Sequence, residues 1–384
     1  MEVLKEIANF LTESTRLDLK AVALQNVLNI TGSKEGRELL FGSLDILKQL
    51  VILMQDDSMA IAKDAALSAI NISADEAGAN AFLTISESMR QEKEQKYSFN
   101  LVQVCISRIM DKNSILADPC CMILSNMTRP RYLVDRVITL IEESCCTWDS
   151  IITAFTAKKY NVTGANLHYL GPVFSNLTQS PSVRRYIMDR TRNVIQRLLP
   201  FTEYTDSIVR RGGIIGTLKN CCFDVEHHEW LLSEDVDILS YLLLPLAGPE
   251  EFDDKENEKL PLDLQYLPET KERESDPDIR SFRAIVCYKK RTAQIREMQG
   301  SPPCLHYNYD IFFFFTRTEE EIGLDNIKEV DSRKHYHQGK YPKPASKLME
   351  LLILDALLAL LQILFESDPK TAAISALFFI ESAS

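Results

Sequence analysis

The chain has 384 residues, more than one compact core usually holds, so its length points to two domains or a repeat array. Hydrophobic residues make up 45% and charged residues 26%, which excludes wholesale disorder. A net charge of −12 leaves the whole chain without the basic footprint that sequence-independent nucleic-acid binding needs. Glycine is scarce, at 13 residues, which favours helices over a fold with many tight turns.

The opening stretch, MEVLKEIANFLTES, has neither a basic leader nor a long apolar run, so a cytosolic or nuclear chain is expected. The first predicted helix that carries a pattern is ALQNVLNIT (23–31). It recurs as AALSAINIS (65–73), CCMILSNMT (120–128), LGPVFSNLT (170–178) and IIGTLKNCC (214–222). Aligned on asparagine, these place Asn29, Asn71, Asn126, Asn176 and Asn220 in one column, with spacings of 42, 55, 50 and 44 residues. Apolar or small residues stand six, five and two positions before the asparagine and one after it. Those offsets trace one face of a 3.6-residue helix, buried and ending near the asparagine. Each is followed by a polar turn and a new apolar helix, which predicts a two- or three-helix repeat stacked into a solenoid. Ser180–Pro181 and Asp118–Pro119 read as helix starts, with a cap followed by proline.

The column resembles the third helix of armadillo repeats, apolar-x-apolar-x-Asn-apolar. In that family the asparagine faces a concave groove and contacts the backbone of an extended ligand. An amide suits this, offering one acceptor and two donors. Two other readings compete. Four of the five asparagines begin an N-x-S/T glycosylation sequon, as does Asn161, but with no secretory leader the modification is rejected. Alternatively, the asparagine only ends its helix in a left-handed conformation. If it contacts a ligand, Asn126→Ala and Asn176→Ala should weaken partner binding and leave thermal stability near wild type.

Charge is uneven. Residues 129–219 carry 13 Lys/Arg against 7 Asp/Glu, and residues 224–280 carry 5 against 18. A basic face followed by an acidic arm is one reading; ordinary solvated surface is the other. Arg184, Arg185, Arg210 and Arg211 join the five asparagines as candidate partner contacts. In the acidic arm 249–278, Pro249, Pro261, Pro268 and Pro277 disfavour helix, and the arm is expected to lie over the basic segment or meet a basic client.

RGGIIGTLKNCCFD (211–224), LPLAGPEEFD (244–253) and the run LPLDLQYLP to DPDIR closely resemble the HGH-one homolog family, cytosolic armadillo-like proteins, as do LSNMTR and GPVFSNLTQ upstream. The resemblance covers residues 1–280. It implies a folding-factor role for translation elongation factor two, in cooperation with the cytosolic chaperonin, and brings no catalytic residues. A general armadillo scaffold or adaptor is the alternative. Import adaptors of the armadillo class carry a tryptophan three or four residues before the asparagine; here those positions hold none.

Residues 281–384 depart from the family as a divergent tail, partly helical, as an aberrant or spliced C-terminus would be. The apolar run 348–365 carries Glu350 and Asp355, which disfavour a membrane span, and a buried helix is expected instead. The adjacent pairs Cys120–Cys121, Cys145–Cys146 and Cys221–Cys222 read as buried free thiols of a reduced compartment. His227–His228 and His335–Tyr336–His337 lack companions at metal-ligand spacing, and Gly212–Gly213 belongs to no phosphate loop, so neither a cofactor nor a metal is expected. The expectation is an all-α, armadillo-like solenoid with no catalytic constellation.

Overall fold

A computed structural model describes residues 2–88, 97–248, 254–257, 262–280 and 283. The expectations for the tail, its apolar run 348–365 and its histidines 335 and 337 lie outside these residues. Among the described residues every regular element is a helix.

The elements group in threes around the asparagine column. Helices α1 (Glu2–Phe10) and α2 (Leu17–Ile30) open the array. Then come α3 (Lys34–Phe41), α4 (Leu44–Leu53) and α5 (Met59–Ser73), followed by α6 (Glu76–Ser88), α7 (Leu101–Met110) and α8 (Ala117–Thr128). The next triplets are α9 (Arg131–Glu142), α10 (Trp148–Thr156) and α11 (Leu170–Leu177), and then α12 (Pro181–Ile187), α13 (Val194–Leu198) and α14 (Ile208–Cys221). Helices α15 (His228–Leu232) and α16 (Ile238–Leu243) follow. The asparagine helices are α2, α5, α8, α11 and α14. Each ends one or two residues past its asparagine, as the periodicity predicts, and each packs on the next.

Local chemistry sets many of the boundaries. Ser33, Asn100, Thr147 and Ser207 each accept a hydrogen bond from a backbone N–H in the first turn of α3, α7, α10 and α14. Pro181 does begin α12, but the Ser180 side chain makes no cap bond. Asp118 does not cap α8, which starts one residue earlier. Its carboxylate instead accepts from the backbone N–H of Asn166 (3.1 Å) and Leu167 (2.7 Å), holding the loop before α11, where Leu167 has φ 56°.

The core runs along the stack. Leu24 and Val27 of α2, Ala66 and Ala69 of α5, Cys121 and Leu124 of α8, Phe174 and Leu177 of α11, and Ile215 and Leu218 of α14 are buried. Burying one large aliphatic side chain is worth about 1.5–3 kcal/mol, so this repeated face supplies the main driving force for stacking. Small residues set the spacing at one interface. A Cβ on Gly213 of α14 would lie 2.1 Å from the Gly171 carbonyl carbon of α11 and 2.4 Å from Pro172 N. The two helices therefore meet backbone to backbone.

The thiol expectation holds for Cys120, Cys121, Cys221 and Cys222, all buried and in no disulfide, as is Cys105. Burial pushes the Cys121 and Cys221 thiols well up. It fails for the middle pair: Cys145 is exposed and Cys146 half-buried. Helix α9 ends at Glu142 and α10 begins at Trp148, so this pair falls in the connection between them rather than on a helix face.

Contact density divides the chain into two units, 1–250 with 266–301 and 251–265 with 302–384. The described part of the second comprises a short helix, α17 (Asp254–Asn257), and a single helical turn, Leu262–Leu264. The arm's final leg, 266–280, belongs to the first. It runs without helix until Asp276, whose carboxylate accepts from Ile279 N (2.8 Å) just after Pro277.

Candidate functional site: the asparagine column

The five asparagines stand on successive parallel helices, and four of them form a hydrogen-bonded ladder. Asn126 Nδ2 donates to Ile70 O (3.1 Å) and Ser73 Oγ (3.2 Å) of the preceding repeat. Asn176 Nδ2 donates to Ser125 O (3.2 Å) and Thr128 Oγ1 (3.1 Å). Asn220 Nδ2 donates to Ser175 O (2.8 Å) and Thr178 Oγ1 (3.1 Å). Asn71 Nδ2 donates to Thr31 Oγ1 (2.9 Å). The rule is constant: each amide reaches the carbonyl one residue before the previous asparagine, the hydroxyl two residues after it, or both. That hydroxyl in turn donates to a carbonyl of its own helix, as Thr31 does to Leu28 O (2.6 Å) and Thr178 to Phe174 O (2.9 Å). After Asn220 the equivalent position is Cys222, so the hydroxyl series stops there.

This explains the recurring N-x-S/T pattern, whose hydroxyl is half of an inter-repeat clasp. The fifth sequon is equally internal: Asn161 is buried, and its Nδ2 donates to Ser114 O (2.9 Å). The left-handed reading is overturned. Among the described residues, positive φ at non-glycine positions occurs at Leu167, Asn193 and Asp237, not in the column, where each asparagine lies within its helix.

The clasp also fixes which way each amide points. A carbonyl oxygen can only accept, so the atom facing Ile70 O, Ser125 O or Ser175 O is Nδ2. Oδ1 then turns outward. The Oδ1 atoms of Asn71, Asn126, Asn176 and Asn220 accept no hydrogen bond within the described residues. All four side chains are half-buried; Asn29, at the end of the row, is exposed, and its Oδ1 accepts from Gln25 (3.3 Å). One helical turn before the asparagines stand Leu67, which is 42% exposed, and the half-buried Met122 and Pro172. They share the asparagine face by i,i+4 spacing.

The donor bonds couple the column to stability. Asn176→Ala removes one of the two bonds that the Ser125 carbonyl accepts, leaving that from Thr128 Oγ1 (3.2 Å), and should cost about 1 kcal/mol in urea unfolding. This departs from the unchanged stability expected when the column contacts only a ligand.

Three of the four candidate arginines are engaged inside the chain. Arg184 grips Asp224 with Nε (2.8 Å) and a second guanidinium nitrogen (3.0 Å) and also donates to Thr178 O (3.0 Å). Arg37, at the equivalent repeat position, donates through Nε alone to Asp75 and through a second guanidinium nitrogen to Thr31 O (3.1 Å). Arg210 is buried, donates to Asn166 O (3.0 Å) and Phe155 O, and lies 4.1–5.0 Å from the ring centres of Phe155, Phe201 and Tyr204. Burial pushes its pKa down. Arg211 pairs with Glu274 through two bonds (2.8 and 2.9 Å). One acidic residue of the arm thus docks on the basic segment. Arg185 alone of the four is exposed, and it makes no bond within the described residues. His228 is buried with Nε2 2.9 Å from Cys222 O, and the described residues contain no cluster of three metal-ligating side chains.

Comparisons with known proteins place this geometry. The Protein HGH1 homolog of Danio rerio is 41% identical over 347 residues, covering 86% of this chain and 88% of that protein. The chain belongs to the HGH1 homolog family. The Drosophila melanogaster member is 39% identical over 349 residues (85% of this chain, 93% of its own length), and the Homo sapiens member 41% over 284 residues (73% and 69%). The fish and fly matches span more of the chain than residues 1–280 supply, so the family similarity runs into the tail. A family described as a domain of unknown function (DUF383) matches residues 108–281. Among solved structures, a designed armadillo repeat protein superposes at a TM-score of 0.52 and 11% identity, covering 75% of this chain and 99% of its own. An engineered protein does so at 0.53 and 13%, covering 76% and 98%. The fold is therefore armadillo-like, as the repeat pattern predicts.

The hydroxyls of Thr31, Ser73, Thr128 and Thr178 are site residues that sequence reasoning missed, although the sequon pattern was their signal. The arginine–aspartate clasp also left a trace: Arg37 and Arg184 each stand eight residues after a column asparagine, and Asp75 and Asp224 four residues after the next one.

Proposed function

We propose that this chain is a non-catalytic protein-binding factor that holds an extended segment of a client along the asparagine column. The client in this reading is a translation elongation factor, elongation factor two, held in cooperation with the cytosolic chaperonin. The observation that carries the holding role is the row of outward Oδ1 acceptors, each locked in orientation by the repeat behind it. Fixed acceptors on a rigid scaffold bind without first losing side-chain freedom. The identity of the client rests on the family resemblance. Arg185, exposed on α12, is a cation that could meet a client carboxylate. Among the described residues no helix is long and apolar enough to cross a membrane, and a cytosolic site of action fits a partner in translation.

The test is capture of the tagged full-length chain from a cell lysate, with mass spectrometry of what is retained. Elongation factor two and chaperonin subunits should be enriched together. Enrichment of neither, from a lysate that contains both, contradicts the reading.

A further inference from the structure

The proposed groove has a chemistry of its own. In Asn126, Asn176 and Asn220 both hydrogens of Nδ2 are committed, one to a carbonyl and one to a hydroxyl of the repeat behind. What each amide offers outward is an acceptor only. Asn71, with one bond of 2.9 Å to Thr31 Oγ1 among the described residues, keeps one hydrogen. A ligand on this row must therefore bring donors, and it gains little from bringing carbonyls.

Charge along the same face points further. At the column itself, and four and seven residues before it on all five helices, one position is charged, Asp64. Four residues before the column the series reads Gln25, Leu67, Met122, Pro172 and Gly216. It closes at Gly216, which is buried against Ser175: a Cβ there would lie 2.3 Å from Ser175 Oγ. A basic peptide would find one carboxylate here, Asp64, and one aromatic side chain, the half-buried Tyr169. An uncharged segment would find an apolar strip beside a row of acceptors.

Resting on the groove reading above, we infer that the occupant is an extended, uncharged stretch of polypeptide. It donates backbone N–H groups to the Oδ1 atoms of Asn126, Asn176 and Asn220 and lays alternate apolar side chains on Leu67, Met122 and Pro172. An extended chain points successive side chains to opposite sides, so alternate residues can face the strip while the backbone N–H groups remain free for the asparagines. Such segments are buried strands in a folded protein and are exposed only before folding is complete. The groove thus selects the unfolded form of a client by chemistry, without reading a particular sequence.

The experiment uses the full-length chain and three short fluorescent peptides of equal length, followed by anisotropy. One alternates valine and serine, one alternates lysine and arginine, and the third is the first with its valine nitrogens methylated. The valine–serine peptide should bind, and the basic peptide at least about tenfold more weakly. Methylation should weaken binding by about tenfold or more, since each lost bond of about 1.4 kcal/mol is a factor of ten. Leu67→Glu, at a position 42% exposed, should weaken the first peptide by a similar factor with an unchanged melting temperature. Basic-peptide affinity equal to or above that of the valine–serine peptide overturns the inference. So does indifference to methylation, or no peptide binding at all by a chain that still captures elongation factor two. The last result leaves the client reading standing, whereas loss of capture with peptide binding intact sinks that reading and spares this one.

Discussion

Glu274→Ala destabilises the chain by about 3–5 kcal/mol in urea unfolding followed by circular dichroism. The carboxylate is 5% exposed and Arg211 13%, so removing one partner leaves the other charge buried and uncompensated. Arg211 also donates to Tyr204 O (2.8 Å), a bond that fixes the guanidinium and prevents it from turning to water. The loss should spread beyond the pair. The final leg of the acidic arm is held by Glu274, by its backbone N–H on Pro245 O (2.8 Å) and by Lys271 on Ala247 O (3.3 Å). Glu274→Gln keeps the shape, removes the charge and should fall between wild type and alanine. The pH dependence has a definite sign. Burial raises the Glu274 pKa, but the bonds from Arg211 and from Asp276 N, with the Arg211 and Arg283 charges, outweigh it and hold it below the usual carboxylate range. A depressed folded pKa gives stability that is complete above the unfolded value of about 4.3 and is lost as pH falls through the folded one. The gap between wild type and Glu274→Ala is therefore constant near neutrality and narrows below about pH 4.

Two adjacent glycines should respond in opposite directions. Gly213→Ala drives a methyl into the backbone of α11, where the Gly171 carbonyl carbon and Pro172 N cannot move aside without shifting the helix. The cost is about 3 kcal/mol, the upper end for overpacking, because backbone rather than a side chain is displaced. Because α14 also carries Asn220, the shift should break the Asn220 clasp to Ser175 and Thr178. Gly212→Ala meets only the Ile279 side chain, at 3.4 Å, which is ordinary contact. In mid-helix it should gain up to about 1 kcal/mol from helix propensity. Thermal unfolding of the two variants side by side checks both signs. Equal effects would mean that α11 and α14 do not meet backbone to backbone.

The fold was legible where a pattern recurs within one helix. The apolar offsets around Asn29, Asn71, Asn126, Asn176 and Asn220 are local, and local periodicity is what a sequence displays directly. Interactions between repeats were not legible. The Asn176 clasp joins residues about fifty positions apart, and its acceptor is a backbone carbonyl, which leaves no mark in the sequence. Arg184, Arg210 and Arg211 look like surface cations in a list of charges. Their carboxylate, carbonyl and aromatic partners come from other helices and from the arm. Cys145–Cys146 looked apolar because α9 ends just before them. The column was thus found for the right reason, its face and period, while the direction of its amides needed the neighbouring repeat.

The groove as the client site can be tested at single positions of the full-length chain. A photo-crosslinking residue, p-benzoylphenylalanine, is placed at Leu67 or Met122 beside the column, or at Leu39, which is 64% exposed on α3. After incubation with unfolded elongation factor two and illumination, the adducts are mapped by mass spectrometry. Client adducts from Leu67 and Met122 with none from Leu39 are the predicted result. Adducts from Leu39, with none from the two groove positions, would contradict the account.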